Sequence, residues 1–242
     1  MQIDFYEEFP SRKTLVKLKL IKFPTRIFVA AKSLEEYEKF KKIAKGYNSD
    51  VKVAYWPIVK NSYWISPFSN TQDLVELFDE LDSTSGGLLI DLELPMKNKV
   101  LFLKNFFCVF RNRKLIKNFL EKNKKRITMA EFPSSLFSFF YKIVGIDYSI
   151  GLEKSLMWYS SMCSEFVNRH IRKHLKKLKD KDKYSISLGT IDFGIFGNEP
   201  KLSFEKMERD LDFVKSVGFR NVVIFRLGGL DKDYVCVLEK FV

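Results

Sequence analysis

The chain has 242 residues, 46% hydrophobic and 15% aromatic, with a mean hydropathy of −0.15 and a formal net charge of +12. That composition belongs to a soluble globular chain with a well-filled interior and excludes disordered and fibrous classes. No apolar run reaches the roughly 18 residues of a membrane span, and the opening MQIDFYEEFP lacks the basic and apolar regions of a signal peptide, so a cytoplasmic location is expected.

In chain order, short β-branched and aromatic segments alternate with longer amphipathic ones, the rhythm of βα units around a parallel sheet. Strands are expected at 2–8, 26–32, 51–56, 87–93 and 126–131, and later at 184–192 and 221–227. The sixth is ambiguous between 143–149 and 155–160, with 155–160 preferred; apolar residues from Leu156 through Cys163, Val167, Ile171 and Leu178 also fit a helix. Helices are expected at 33–46, 71–81 and 203–218, capped by Ser33, Thr71 and Ser203, with Gly46 ending the first. Eight βα units in a chain of this length, without a linker or composition break, predict a single-domain (β/α)8 barrel over residues 1–242. EEFP (7–10) and AEFP (130–133) close the first and fifth strands, a faint half-barrel echo.

Cys108, Cys163 and Cys236 have no metal-type spacing, and their odd number argues against a disulfide framework. The positive charge favours acidic partners such as nucleic acid or an anionic membrane surface. The basic runs 13–22, 122–126 and 172–183 read equally well as solvated helix faces, and nucleic acid is not the favoured partner. His170 and His174 stand at i and i+4, but the intervening Ile171, Arg172 and Lys173 oppose a cation. Neither a metal nor a cofactor is expected.

The segment GGLLIDLELP (86–95) places Asp91 and Glu93 in an otherwise apolar strand. Alternation puts Leu89, Asp91 and Glu93 on one face and Leu88, Ile90, Leu92 and Leu94 on the other. The apolar face should pack on helices. The acidic face then points into the barrel near its C-terminal mouth, where active sites of this fold sit. Two such carboxylates lie within about 7 Å, and crowding in a dry site holds one protonated near neutral pH as a general acid. Other strand ends offer Asp4, Tyr6, Glu8, Tyr55, Trp56, Glu131, Asp192 and Arg226, a set whose aromatics and acids suit a sugar. An ion-paired structural role for Asp91 and Glu93, or a solvent-facing register, is the alternative.

These residues bear a resemblance. Asp91, Glu93 and Pro95 resemble the end of the D-x-x-D-x-D-x-E signature, often followed by tyrosine and proline, on the fourth strand of glycoside hydrolase family 18; Leu89 and Gly86 stand where two further aspartates would be. MWYSS (157–161) is similar to the family's sixth-strand M-x-Y-D, with Tyr159 in place and Ser160 for the aspartate, and Phe225 stands for an eighth-strand tryptophan. The resemblance implies a retaining, substrate-assisted hydrolysis of N-acetylated sugars. Glu93 would be the acid, Asp91 would orient the acetamido group, and Tyr159 would hydrogen-bond it. Asn198-Glu199-Pro200 resembles the N-E-P of other barrel glycosidases but follows the seventh strand, which reads more simply as a loop. Two other functions stay open: a non-catalytic barrel that binds glycan or nucleic acid, and a barrel enzyme for a phosphorylated metabolite held by Arg226-Leu227-Gly228-Gly229. Oligomeric state is not legible.

Overall fold

The computed structural model describes the chain apart from residues 61–64, 94–105, 134–147, 149 and 195–196. Eight parallel strands close into a barrel in sequence order: β1 (Gln2–Glu7), β2 (Arg26–Ala31), β3 (Lys52–Pro57), β4 (Leu88–Asp91), β5 (Ile127–Glu131), β6 (Glu153–Trp158), β7 (Tyr184–Gly189) and β8 (Asn221–Phe225), with β1 pairing to β8. The described helices α1 (Arg12–Leu15), α2 (Leu34–Tyr47), α3 (Thr71–Asp82), α4 (Val109–Asn123), α5 (Glu165–Lys177), α6 (Phe204–Ser216) and α7 (Lys232–Glu239) alternate with the strands and surround them, as in a (β/α)8 barrel.

The sixth strand is the later of the two candidates; the earlier, apart from Tyr148, lies outside the described residues. Its apolar series divides because Ser164 caps α5 by accepting from the Val167 amide, so Leu156 and Trp158 belong to a strand while Val167 and Ile171 belong to a helix. Ser33 and Ser203 cap as expected, each accepting the amide three residues on. Asn70, not Thr71, caps α3, because its Oδ1 accepts from the Gln72 and Asp73 amides. The helix α2 continues one residue past Gly46 and ends at Asn48, whose side-chain amide donates to the Leu18 and Ile21 carbonyls.

The alternation read from β4 holds. Leu88, Ile90 and Leu92 pack outward with α3 and α4 side chains such as Leu81 and Ile116, while Leu89 packs inside the barrel with Tyr6, Phe28, Trp56 and Phe225. A second outer cluster joins β1, β6, β7 and β8 to α5, α6 and α7. Asp4 is not at the mouth. It lies near the N-terminal end of β1, where its carboxylate takes Arg26 Nε at 2.9 Å; Arg26 Nη2 also lies 3.4 Å from Glu153, so an ionic plug closes that end.

Candidate active site

The mouth is built on the inner face of β4. Asp91 ends the strand, buried at 6% exposure, and Glu93 follows two residues later, held by its amide donating to the Ile65 carbonyl at 3.3 Å. Asp91 Oδ1 is buried and has no hydrogen-bond partner among the described residues. Glu8, two residues beyond Tyr6 on β1, supplies a third carboxyl whose charge reaches both. Burial first, then the Glu93 and Glu8 charges, holds the Asp91 carboxyl well above the usual carboxylate range. Burial and the Glu8 charge push Glu93 up to about 7. A site of this kind retains a proton at neutral pH and can deliver it to a leaving group.

Aromatic side chains wall the acids. The Tyr6 ring stands 5.6 Å from Trp56 and 5.4 Å from Phe28, and Tyr159 stands 5.2 Å from Phe225. Burial, then the Tyr6 and Asp91 charges, raises the Tyr159 phenol, so it remains a neutral donor. Tyr6 is fixed from below: its hydroxyl donates to Ser155 Oγ at 2.6 Å, and Ser155 Oγ lies 2.6 Å from Ser187 Oγ. These serines escaped the sequence reading, although Ser155, Ser185 and Ser187 alternate with outward apolar residues such as Leu156, Ile186 and Leu188.

Four of the expected residues are engaged elsewhere. Tyr55 points outward, stacked 4.6 Å from Tyr37 with its hydroxyl 3.2 Å from Glu80. Glu131 is also outward, 2.6 Å from Lys154, so the half-barrel echo falls out of phase: Glu8 and Glu131 lie on opposite faces. Arg226 is 8% exposed, and its guanidinium meets Glu7 and Asp192, each at 2.9 Å, and donates through Nε to the Phe193 carbonyl at 2.7 Å. Arg226 and Asp192 therefore belong to a web joining β1, β7 and β8 behind the mouth. Its fully buried hub, Glu7, was not foreseen. Glu7 Oε2 also accepts the Gly228 amide at 2.7 Å, so that loop amide is committed to a carboxylate rather than presented to an anion. Gly229 is required by close approach, since a Cβ there would lie 2.1 Å from the Ile191 carbonyl oxygen.

Ser160 faces away from the mouth and donates to the buried Asp210, which Arg172 approaches at 3.4 Å. Glu199 is buried in the loop after β7 and accepts the Gly194 amide at 3.0 Å, a loop-holding role. His170 and His174 lie half-buried on α5, and among the described residues no group of three His, Cys, Asp or Glu is placed to hold a metal. No described helix is long and apolar enough to cross a membrane.

The fold is a (β/α)8 barrel similar to solved chitinase and cortex-lytic enzyme structures. Three solved structures carry the likeness. The C-terminal domain of a candidate chitinase from Desulfitobacterium hafniense DCB-2 superposes with a TM-score of 0.60 at 12% identity, covering 100% of this chain and 97% of the other. A class V chitinase from Nicotiana tobaccum gives 0.55 at 10% identity, covering 100% and 99%. The spore cortex-lytic enzyme SleL of Bacillus megaterium QM B1551 gives 0.56 at 12% identity, covering 98% and 73%. At such identity the likeness is one of fold. No protein-family model and no curated protein matches the sequence.

Proposed function

We propose that the protein is a carbohydrate-active enzyme, a glycoside hydrolase acting on N-acetylated sugars with retention through substrate assistance. The observation that carries this reading is the pair of proton-holding carboxyls at the mouth, Asp91 at the end of β4 and Glu93 two residues beyond it, with one Asp91 oxygen buried and unpartnered among the described residues. Glu93 donates its proton to the glycosidic oxygen as the bond to the anomeric carbon breaks. The carbonyl oxygen of the substrate's own 2-acetamido group forms the new bond to that carbon. Asp91 accepts the acetamido N–H, and the Tyr159 hydroxyl donates to the acetamido oxygen. Glu93, now a carboxylate, takes a proton from the water that reopens the ring. Stacking on Trp56 and Phe225 would seat the sugar.

Hydrolysis of aryl β-N-acetylglucosaminides and chito-oligosaccharides tests it. Glu93→Gln should lose at least about 100-fold in kcat, the size of a general-acid contribution, while still unfolding in one cooperative transition. Equal turnover in the variant would sink the proposal. Leu89, packed among aromatics below Asp91, favours one second reading: a barrel that holds such sugars without cleaving them. Calorimetric binding of chito-oligosaccharides with no detectable turnover would select it.

A further inference from the structure

All helix-to-strand connections of a closed parallel barrel lie at its N-terminal end, opposite the mouth. Across residues 17–26, 45–52, 80–88, 121–127, 150–153, 176–184, 215–221 and 239–242 stand eighteen Lys or Arg against eight Asp or Glu, so this end holds ten of the chain's twelve net positive charges. Cations in the last turn of a helix answer its C-terminal dipole, which accounts for Lys45, Lys122, Lys176, Lys177 and Lys215. It does not account for Lys22, Lys124, Lys125 and Lys179, which lie beyond the helices, are exposed, and have no acidic partner among the described residues.

The same end carries a groove of about 760 Å³ whose lining includes Lys19, Lys22, Tyr47, Asn48, Ser49 and one acid, Asp50, which accepts from the Ser49 hydroxyl; Lys19 Nζ stands 5.2 Å from the centre of the Tyr47 ring. Exposed large apolar side chains lie at the other end. Among the described residues, Phe9, Phe107, Phe110, Met162, Phe166 and Phe193 all belong to strand-to-helix connections or first helical turns, and Val242 alone is at the basic end.

We propose that the basic end is a second binding surface, separate from the mouth, for a single strand of nucleic acid. Lysines beyond the helix ends would neutralise successive phosphates, and the Lys19, Lys22 and Tyr47 groove offers the pairing of cation and aromatic ring that holds an unpaired base. An anionic bilayer would favour cations interleaved with apolar side chains that enter the headgroup region. Here charge and apolar exposure are at opposite poles. The inference does not depend on the hydrolase reading.

Fluorescence anisotropy with labelled single-stranded DNA and RNA of ~20 nucleotides, enough to cross one groove, tests it on the whole chain. Two variants accompany the wild type: Lys19, Lys22, Lys124 and Lys125 all changed to Gln, and the same four changed to Arg. Each neutralised phosphate should contribute about 0.7 to the slope of log affinity against log salt, so four of them weaken binding about 50-fold between about 50 and about 200 mM salt. The Gln variant should bind at least ~10-fold more weakly, the Arg variant as the wild type does, and excess chito-oligosaccharide should not displace the strand. The proposal is overturned by no binding at low salt, by salt-independent binding, or by a Gln variant that melts like the wild type and binds as tightly. Binding to phosphatidylserine vesicles with none to either oligonucleotide would reassign the surface to a membrane.

Discussion

Glu93 holds a proton up to about pH 7 in the folded chain, against an ordinary value of 4.5. Between those two pH values the unfolded chain releases a proton that the native chain keeps, so stability falls as pH rises from 4.5 to 7 and the penalty stays in full above. Glu93→Gln should therefore melt higher than the wild type at pH 8. At ~1.4 kcal/mol per pKa unit, reduced by partial solvent access, the gain is about 1–2 kcal/mol. It should vanish near pH 4, and differential scanning calorimetry at the two pH values reads both. Turnover should decline above pH 7 as the acid loses its proton, and a rate that keeps rising through pH 8 would exclude Glu93 from the acid role. Glu7 carries the opposite lesson. Burial lifts its carboxyl, and the Arg226 guanidinium is the principal force returning it towards the charged form. Arg226→Met would strand a fully buried carboxyl and should cost about 3–5 kcal/mol of stability, seen as a lowered denaturation midpoint.

On the strands, the two-residue period decides everything that faces the mouth. In β4 the unbroken apolar face of Leu88, Ile90 and Leu92 fixes the phase, so the sequence alone aims Asp91 inward. In β3 and β5 the phase is hidden, because both faces are covered and either parity is apolar. Tyr55 and Trp56 are adjacent, and only the register Ala30↔Trp56 and Val29↔Tyr55 shows which one enters the barrel with Ala30. Arg226 was legible as polar at a strand end, but its ion pair spans 219 residues of sequence, and no local pattern records such a partner. Leu89 explains what β4 lacks. It packs among Tyr6, Phe28, Trp56 and Phe225, so Leu89→Asp would place a carboxyl in an apolar interior. That change should lower stability by several kcal/mol, roughly the cost of burying an unpaired polar group, unless the new acid shares a proton with Asp91. Urea unfolding of Leu89→Asp beside Leu89→Asn at pH 8 separates the cases, because only a proton shared with Asp91 makes the acid cost less than the neutral amide.

Over the whole molecule, the separation of basic connections from the carboxyl-lined mouth makes the barrel an axial electric dipole. Its field reaches about one Debye length, roughly 10 Å at 0.1 M salt, far enough to orient an approaching polymer before contact. A glycan bearing uronate or sialyl groups would be drawn to the positive pole rather than to the mouth, where Asp91 and Glu93 hold protons and offer no cation. Neutral N-acetylated oligosaccharides should therefore bind the mouth more tightly than carboxylated ones of equal length. That preference should narrow as salt is raised, because screening shortens the field while stacking on Trp56 and Phe225 persists.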